Sequence, residues 1–475
     1  MQRLMAILAA VGVLGGCAAP SGMQGAAAPH GSAGGFLLGL TPGALPEMRR
    51  FADAPAPAPD PERDNAGVAR DILDLAFRLE TGRDVPRLTR FEGPVRVALA
   101  GRVPATAEAD LGALLRRLRA EAGIDIRRAP PGMGPGMGPD AAEIVVAFVP
   151  DRAMRSAVPE AACFVVPGVT DWEGFLADPR SPAFDWVQLD RRRGATVFIP
   201  EGAAPQDVRD CLHEEIAQAL GPLNDLWRLT DSVFNDDNAH VVLTGFDMLV
   251  LRAIYDRALM SGLTRAEVAA RLPGVLARIN PGGGRMAIAP AIPEPPAAWR
   301  QATGTALAPG TGRAARRAAA ERAVGMVGRA GVGPAEAAFS HFLIGRGIGG
   351  ADPGRAIGHF AEASAIWADL PGSAPYLAQV DMHVAALALQ AGEPAAAARL
   401  AARSVPRARA AQNAALLANL LMIEAAAAAA QGDAGGAQAR WLDSLGWARY
   451  GFGAERLVRD RAESIARLAQ GQGQE

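Results

Sequence analysis

Apolar positions recur along this chain with two short periods and one long one, and each predicts a different kind of structure. Val68, Ile72, Leu75 and Leu79 stand four, three and four residues apart, one stripe of an amphipathic helix. Val95, Val97 and Leu99 alternate with Arg96, Ala98 and Ala100, the two-residue period of a strand. Leu111, Leu114, Leu115 and Leu118 predict a second helix with Arg116, Arg117 and Arg119 outward. Strands are expected over 124–127, 144–149, 163–166 and 195–199, with a Pro-Gly-Met loop at 130–139. A helix follows, with Pro205 in its first turn and Gly221-Pro222 at its end. Helices are predicted again over 243–256 and 264–279, the latter opened by Thr264 and Glu267 as a capping box. Helix, strand, helix, four strands and helix, in that order, predict an α+β layer domain over 68–280.

The long period lies further on. Asp352-Pro353, Gly392-Glu393-Pro394 and Gly432-Asp433-Ala434 are turn signals at intervals of 41 and 40 residues, each between Ala-rich helices. Residues 313–475 are therefore expected to be an all-α repeat of helical hairpins, solenoid-like and similar to tetratricopeptide arrays. Residues 281–312, with Pro281-Gly-Gly-Gly and Pro293-Glu-Pro-Pro, read as a linker. Residues 17–67, rich in Ala, Gly and Pro, read as a disordered tether, with Phe36 to Leu40 an apolar island able to dock.

Composition narrows the chemistry. The net charge is −2, which predicts no basic field for nucleic acid. Every basic residue is Arg, so the chain has no P-loop lysine, Schiff base or Ser-Lys dyad, and no cofactor is implied.

Residues 1–16 carry Arg3 and then an apolar run, Leu4 to Val13, too short to span a bilayer. Leu14-Gly-Gly-Cys17 resembles the bacterial lipobox, which implies a signal peptide over 1–16 and a lipid-modified Cys17. Ala18 follows where an Asp would favour inner-membrane retention, so a periplasm-facing outer-membrane anchor is expected. Lipid on Cys17 leaves Cys163 and Cys211 as an even pair in an oxidising compartment. A disulfide is expected, the alternative being two separate buried thiols.

The segment His213-Glu-Glu-Ile-Ala-Gln-Ala-Leu-Gly221 resembles the H-E-x-x-H-x-x-G helix of zinc peptidases, in frame from Glu214. Glu214 and Gln218 then occupy the two ligand positions and Glu215 that of the general base. Asn224 falls where some zincins place a third ligand, with Asp225 beside it, and Asp231-Ser-Val-Phe-Asn235 is similar to their Met turn, with Phe234 for Met. Glu214, Glu215, Gln218, Asn224 and Asp225 are thus the candidate cleft, and no zinc is expected on a Gln amide. Glu214 with Asp225, or with Asp236 and Asp237, offers oxygens to a hard ion such as Ca²⁺. The plainer alternative is a satisfied polar network where zinc once sat.

Leu73-Asp-Leu-Ala-Phe77, Leu79-Glu-Thr-Gly-Arg83, Leu88-Thr-Arg-Phe-Glu-Gly-Pro94 and Glu214 to Asp225 also resemble the bacterial domain of unknown function 2927 family. That resemblance covers about 68–272 and implies a secreted or lipid-anchored chain with no assigned activity. The expectation is an α+β zincin-like domain followed by helical hairpins, on an envelope lipoprotein that binds or scaffolds a protein or peptide. The competing expectation is a hydrolase on peptides or cell-wall material with Glu215 as general base.

Overall fold

The computed structural model describes residues 33–51, 61–130, 133, 141–159, 161–237, 239–308, 310–329 and 331–470. Cys17, the signal peptide expected over 1–16 and most of the Pro-Gly-Met loop lie outside them. The described residues form two compact units, one of 61–203 and 207–294, the other of 33–51, 204–206 and 295–470. Helix α1 (Ala33–Gly39) belongs to the second.

The first unit opens with α2 (Asn65–Ala76), whose N-cap Asp64 accepts from the Gly67 N–H at 2.7 Å. Val68, Ile72 and Leu75 are fully buried, as the stripe predicts, but the helix stops before Leu79. There follow β1 (Val95–Gly101), α3 (Ala107–Ala122), β2 (Ile126–Arg128), β3 (Ile144–Val149) and α4 (Asp151–Ala157). Next come β4 (Phe164–Pro167), α5 (Trp172–Ala177), β5 (Ala195–Pro200), α6 (Pro205–Leu220), α7 (Gly245–Ile254) and α8 (Arg265–Ile279). All five predicted strands form, within two residues of their expected starts. The short helices α4 and α5 were not expected. Thr264 and Glu267 make the capping box at α8.

The strands make one mixed sheet in the order β2-β1-β3-β5-β4, parallel except for β4, which pairs antiparallel with β5 at the edge. Central β3 is buried on both faces, the usual state of a parallel strand covered on each side. Its Ile144, Val146 and Phe148 join one core with Val68, Leu111, Ile216 and Phe246. Val145, Ala147 and Val149 face the other, a smaller cluster with Trp172, Phe175 and Phe198. An α/β layer with a mixed five-stranded sheet is therefore the fold of this unit.

The second unit is helical: α9 (Ala297–Leu307), α10 (Arg313–Val324), α11 (Pro334–Ile348), α12 (Pro353–Ala368), α13 (Ala374–Gln390), α14 (Pro394–Ala410), α15 (Ala414–Ala430), α16 (Ala434–Phe452) and α17 (Glu455–Leu468). Helices pack in consecutive pairs, α9 on α10, α11 on α12, α13 on α14 and α15 on α16. The three predicted turn signals each start the second helix of a pair, with Gly392 and Gly432 at positive φ before two of them. No helix among the described residues is long and apolar enough to cross a membrane.

Two expectations need correction. Residues 33–51 are not a tether: Leu37 is fully buried among α15, α16 and α17, and Phe51 packs on Trp447 at 4.7 Å. Their backbone carbonyls are met by arginines, Arg449 on Pro46 at 2.6 Å and Arg459 on Gly43 at 2.7 Å. Nor is 281–312 one linker. Helix α9 buries Trp299, whose indole N–H donates to Ser340 Oγ at 2.8 Å, while Glu294 pairs with Arg228 at 3.2 Å in the first unit. In both segments partner side chains supply the burial and hydrogen bonds that composition alone cannot promise.

Candidate functional site

Helix α6 is buried on every side from Val208 to its end, although it carries Arg209, Asp210, His213, Glu214, Glu215 and Gln218. A helix buried all round is normally apolar, because each charge taken from water is costly unless paired. Three devices hold it there. Val208, Leu212, Ile216, Ala217, Ala219 and Leu220 give it apolar contact with the main core. Cys211 forms the expected disulfide with Cys163, joining α6 to the residue before edge strand β4. Arg192 donates to the Gln218 carbonyl and, at 2.8 Å, to the Gly221 carbonyl, capping the end of the helix. Burial brings the Arg192 guanidinium down to about 10, and it stacks over Trp186 at 4.5 Å. Gly221 packs tightly: a Cβ there would lie 2.8 Å from Ile254 Cδ1.

The predicted residues do not line an open groove. Glu214, Glu215, Gln218, Asn224 and Asp225 are all at least nine-tenths buried, at 2, 1, 5, 5 and 7% exposure. Asn224 is turned aside, its amide donating to the Asp74 carbonyl at 3.1 Å. His213 is also spoken for, its Nδ1 accepting from the Leu243 N–H at 3.1 Å. Burial, then Arg209 and Arg117, hold His213 far below the usual histidine range, so it is neutral. His240 bonds the Thr230 carbonyl at 2.9 Å.

Glu214, Gln218 and Asp210 stand four apart on α6, one buried polar stripe. Asp210 Oδ2 and Gln218 Nε2, at its two ends, have no hydrogen-bond partner among the described residues. Across from it stand Asp225 and Glu80. Glu80 comes from a tight turn in which the Leu79 N–H bonds the Arg83 carbonyl at 2.9 Å, with Gly82 at φ 81. Glu80 lies within electrostatic reach of Asp225, and each carboxyl feels the other. Neither Asp225 oxygen accepts from an N–H or hydroxyl of the described residues.

Burial and mutual repulsion push this whole group toward its protonated form. Burial, Asp225 and Asp236 raise Glu80 far above the carboxylate range. Burial, Asp225 and Glu215 do the same to Glu214. Glu215 is raised to about 8 by burial and Asp225, and Asp225 to about 8 by burial and Asp236. At neutral pH Glu215 thus holds its proton and is a donor, the wrong state for a general base.

Below the stripe, the turn over 231–235 is pinned by Asp247, whose carboxylate accepts from the Ser232 hydroxyl and the Val233 N–H at 3.2 Å. Phe234 is fully buried in the main core. Asp237 accepts from the Ala239 N–H at 3.0 Å, a turn rather than a ligand loop.

Zinc does not fit this donor set. Its sites draw on Cys, His and carboxylate, and here one ligand position is a neutral amide while the nearby histidines are engaged elsewhere. Among the described residues no three His, Cys, Asp or Glu side chains are placed to hold a metal ion. Glu80 and Asp210 were missed from the sequence. Asp210 was accessible as the same four-residue step taken toward the N-terminus, whereas Glu80, far off in sequence, carried no such signal. A search of curated proteins finds no match to the chain. Residues 65–274, the unit that holds α6 and Glu80, match the family described as "Protein of unknown function (DUF2927)".

Proposed function

We propose that the chain is a cell-envelope lipoprotein whose first unit is a zinc-peptidase-like domain that has lost its metal and works by binding or scaffolding. One observation carries this reading: the two ligand positions of the peptidase frame hold Glu214 and Gln218, inside a buried, proton-holding carboxyl cluster. The mixed sheet with its single antiparallel edge strand beside α6 is consistent with the zincin likeness. The hairpin unit, similar to tetratricopeptide arrays, would add a surface for a protein or peptide partner.

Elemental analysis after purification without added metal tests the loss of zinc. The expected result is less than one zinc per chain and a melting temperature indifferent to chelator. One zinc per chain, removed by chelator together with stability, would overturn the proposal. Mass spectrometry of membrane-extracted chain tests the anchor, with acyl chains on Cys17 expected. The hydrolase alternative keeps one supporting observation, that Glu215 titrates near 8 and so would ionise in mild alkali. Peptide hydrolysis that rises above that pH and disappears in Glu215→Ala would establish it.

A further inference from the structure

Helices α11 and α12 form a hairpin with an aromatic inner face. Phe342 lies 6.1 Å from Phe360 and 5.6 Å from Trp367, and all three rings are buried. Gly345 lets the two helices close up, since a Cβ there would meet the Phe360 ring at 2.8 Å. His341 stands one residue before Phe342 and His359 one before Phe360, each half-buried. Two of the six histidines in the chain are thus brought together on a packed support.

The spacing between them is that of two ligands on one ion. Their Nδ1 atoms are 3.0 Å apart and their ring centroids 5.2 Å. Around a tetrahedral zinc about 2.05 Å from each nitrogen, the nitrogens would stand about 3.3 Å apart and the ring centres about 5.2 Å. The rings are therefore already at ligand separation, and a tilt that moves the nitrogens apart by roughly 0.3 Å turns the pair toward an ion. As they stand, one Nδ1 donates to the other. Burial and then His359 hold His341 below the usual histidine value, and burial and then Arg355 do the same to His359. Both rings are thus neutral at pH 7, the form that ligates a metal.

The charge around the pair is mixed. Arg355, four residues before His359 on α12, opposes a cation. Glu362, three residues after it, favours one and acts on both rings. Its side chain is exposed and has room to turn. Among the described residues no third ligand converges on the pair in its present arrangement.

We infer that His341 and His359 form a binding site for a borderline divalent ion of the zinc class (Zn²⁺, Ni²⁺ or Cu²⁺), with Glu362 turned in as third ligand and water completing the shell. Imidazole nitrogen selects these ions over Ca²⁺ and Mg²⁺, which take oxygen. The ion would staple α11 to α12. The site shares no residue with the peptidase-like frame around Glu214, so this inference does not depend on what the first unit does.

Calorimetric titration of the full chain with ZnCl₂, and separately with CaCl₂, tests it. The expected result is one Zn²⁺ per chain with a Kd below about 100 μM, and Ca²⁺ weaker by about tenfold or more. His341→Ala and His359→Ala should each weaken Zn²⁺ by about tenfold or more, and Glu362→Gln by less. Saturating Zn²⁺ should raise the melting temperature of the wild type and leave that of the double His variant unmoved. Paramagnetic resonance of bound Cu²⁺ should show two ring nitrogens in the wild type and one in either single variant, a change that a fault in folding would not produce. Three results would each overturn the inference: no Zn²⁺ bound at about 1 mM, Zn²⁺ held as tightly by the double variant, or Ca²⁺ bound as tightly as Zn²⁺. Tight zinc that survives in the double variant would also count against the zinc loss proposed for the first unit, so the two readings fail separately.

Discussion

Helices α6 and α15 are both buried almost completely, yet they are built from opposite materials. Within α15, residues 416–423 are all buried and only Asn419 among them is polar. Helix α6 instead carries Asp210, His213, Glu214, Glu215 and Gln218 to the same depth. The apolar helix is held by the same burial that folds any core. The polar one shares that burial through Val208, Leu212, Ile216 and Leu220, and is held besides by a disulfide, an arginine cap and retained protons. Part of the stability of α6 is therefore supplied from outside its own sequence, which is how a former or present site is expected to look.

Replacing Cys163 and Cys211 by Ala attacks that outside support directly. The bond closes a loop of 48 residues, so the loss expected is about 4 kcal/mol, read by urea unfolding. A loss below about 1 kcal/mol would show that α6 is held by packing after all. The matching blow to α15 is Leu420→Ala, a fully buried position. It should cost about 3 kcal/mol through the cavity it leaves, with no dependence on reductant or pH.

The two helices should also part company on titration. Glu215 and Asp225 keep their protons to about 8 in the folded chain, against ordinary values of 4.5 and 3.8 when unfolded. Across that window the folded state binds protons that the unfolded state has released. The stability these groups allow is thus complete below about pH 4 and declines as pH rises to about 8, by about 1.4 kcal/mol per pH unit for each group that titrates. His213 and His383, neutral when folded, work in the opposite sense below about 6.5. The comparison that isolates the carboxyls is therefore wild type against a Glu215→Gln, Asp225→Asn double variant. Its advantage in melting temperature should grow steadily from pH 5 to pH 8, whereas a constant difference would refute the protonated cluster.

A smaller effect is expected from Gly221→Ala. Its methyl would press on Ile254, for a loss of about 1–2 kcal/mol by thermal melting, since the end of that side chain can yield.

Much of the first unit was legible because its elements obey simple periods. Buried β3 has its run of six apolar residues, and α8 announces its start with Thr264 and Glu267. The disulfide followed from counting cysteines. The site was half legible: the α6 residues were found, but their reading as a cleft rested on a motif whose burial the sequence cannot state. Glu80 escaped because its neighbour Asp225 is supplied by the fold. Of the docked segment 33–51 only the apolar island Phe36 to Leu40 was legible, and the rest of it and helix α9 escaped for a related reason. Both lie in Pro- and Gly-rich sequence whose order comes from arginines and aromatic rings elsewhere in the chain.

That docked segment sets a length scale. If Cys17 carries the lipid, only fifteen residues separate it from Ala33, the first described residue of the helical unit. Fully extended, that leash reaches at most about 55 Å, so the helical unit would patrol a shallow zone next to the bilayer, far short of the reach a fifty-residue tether would have allowed.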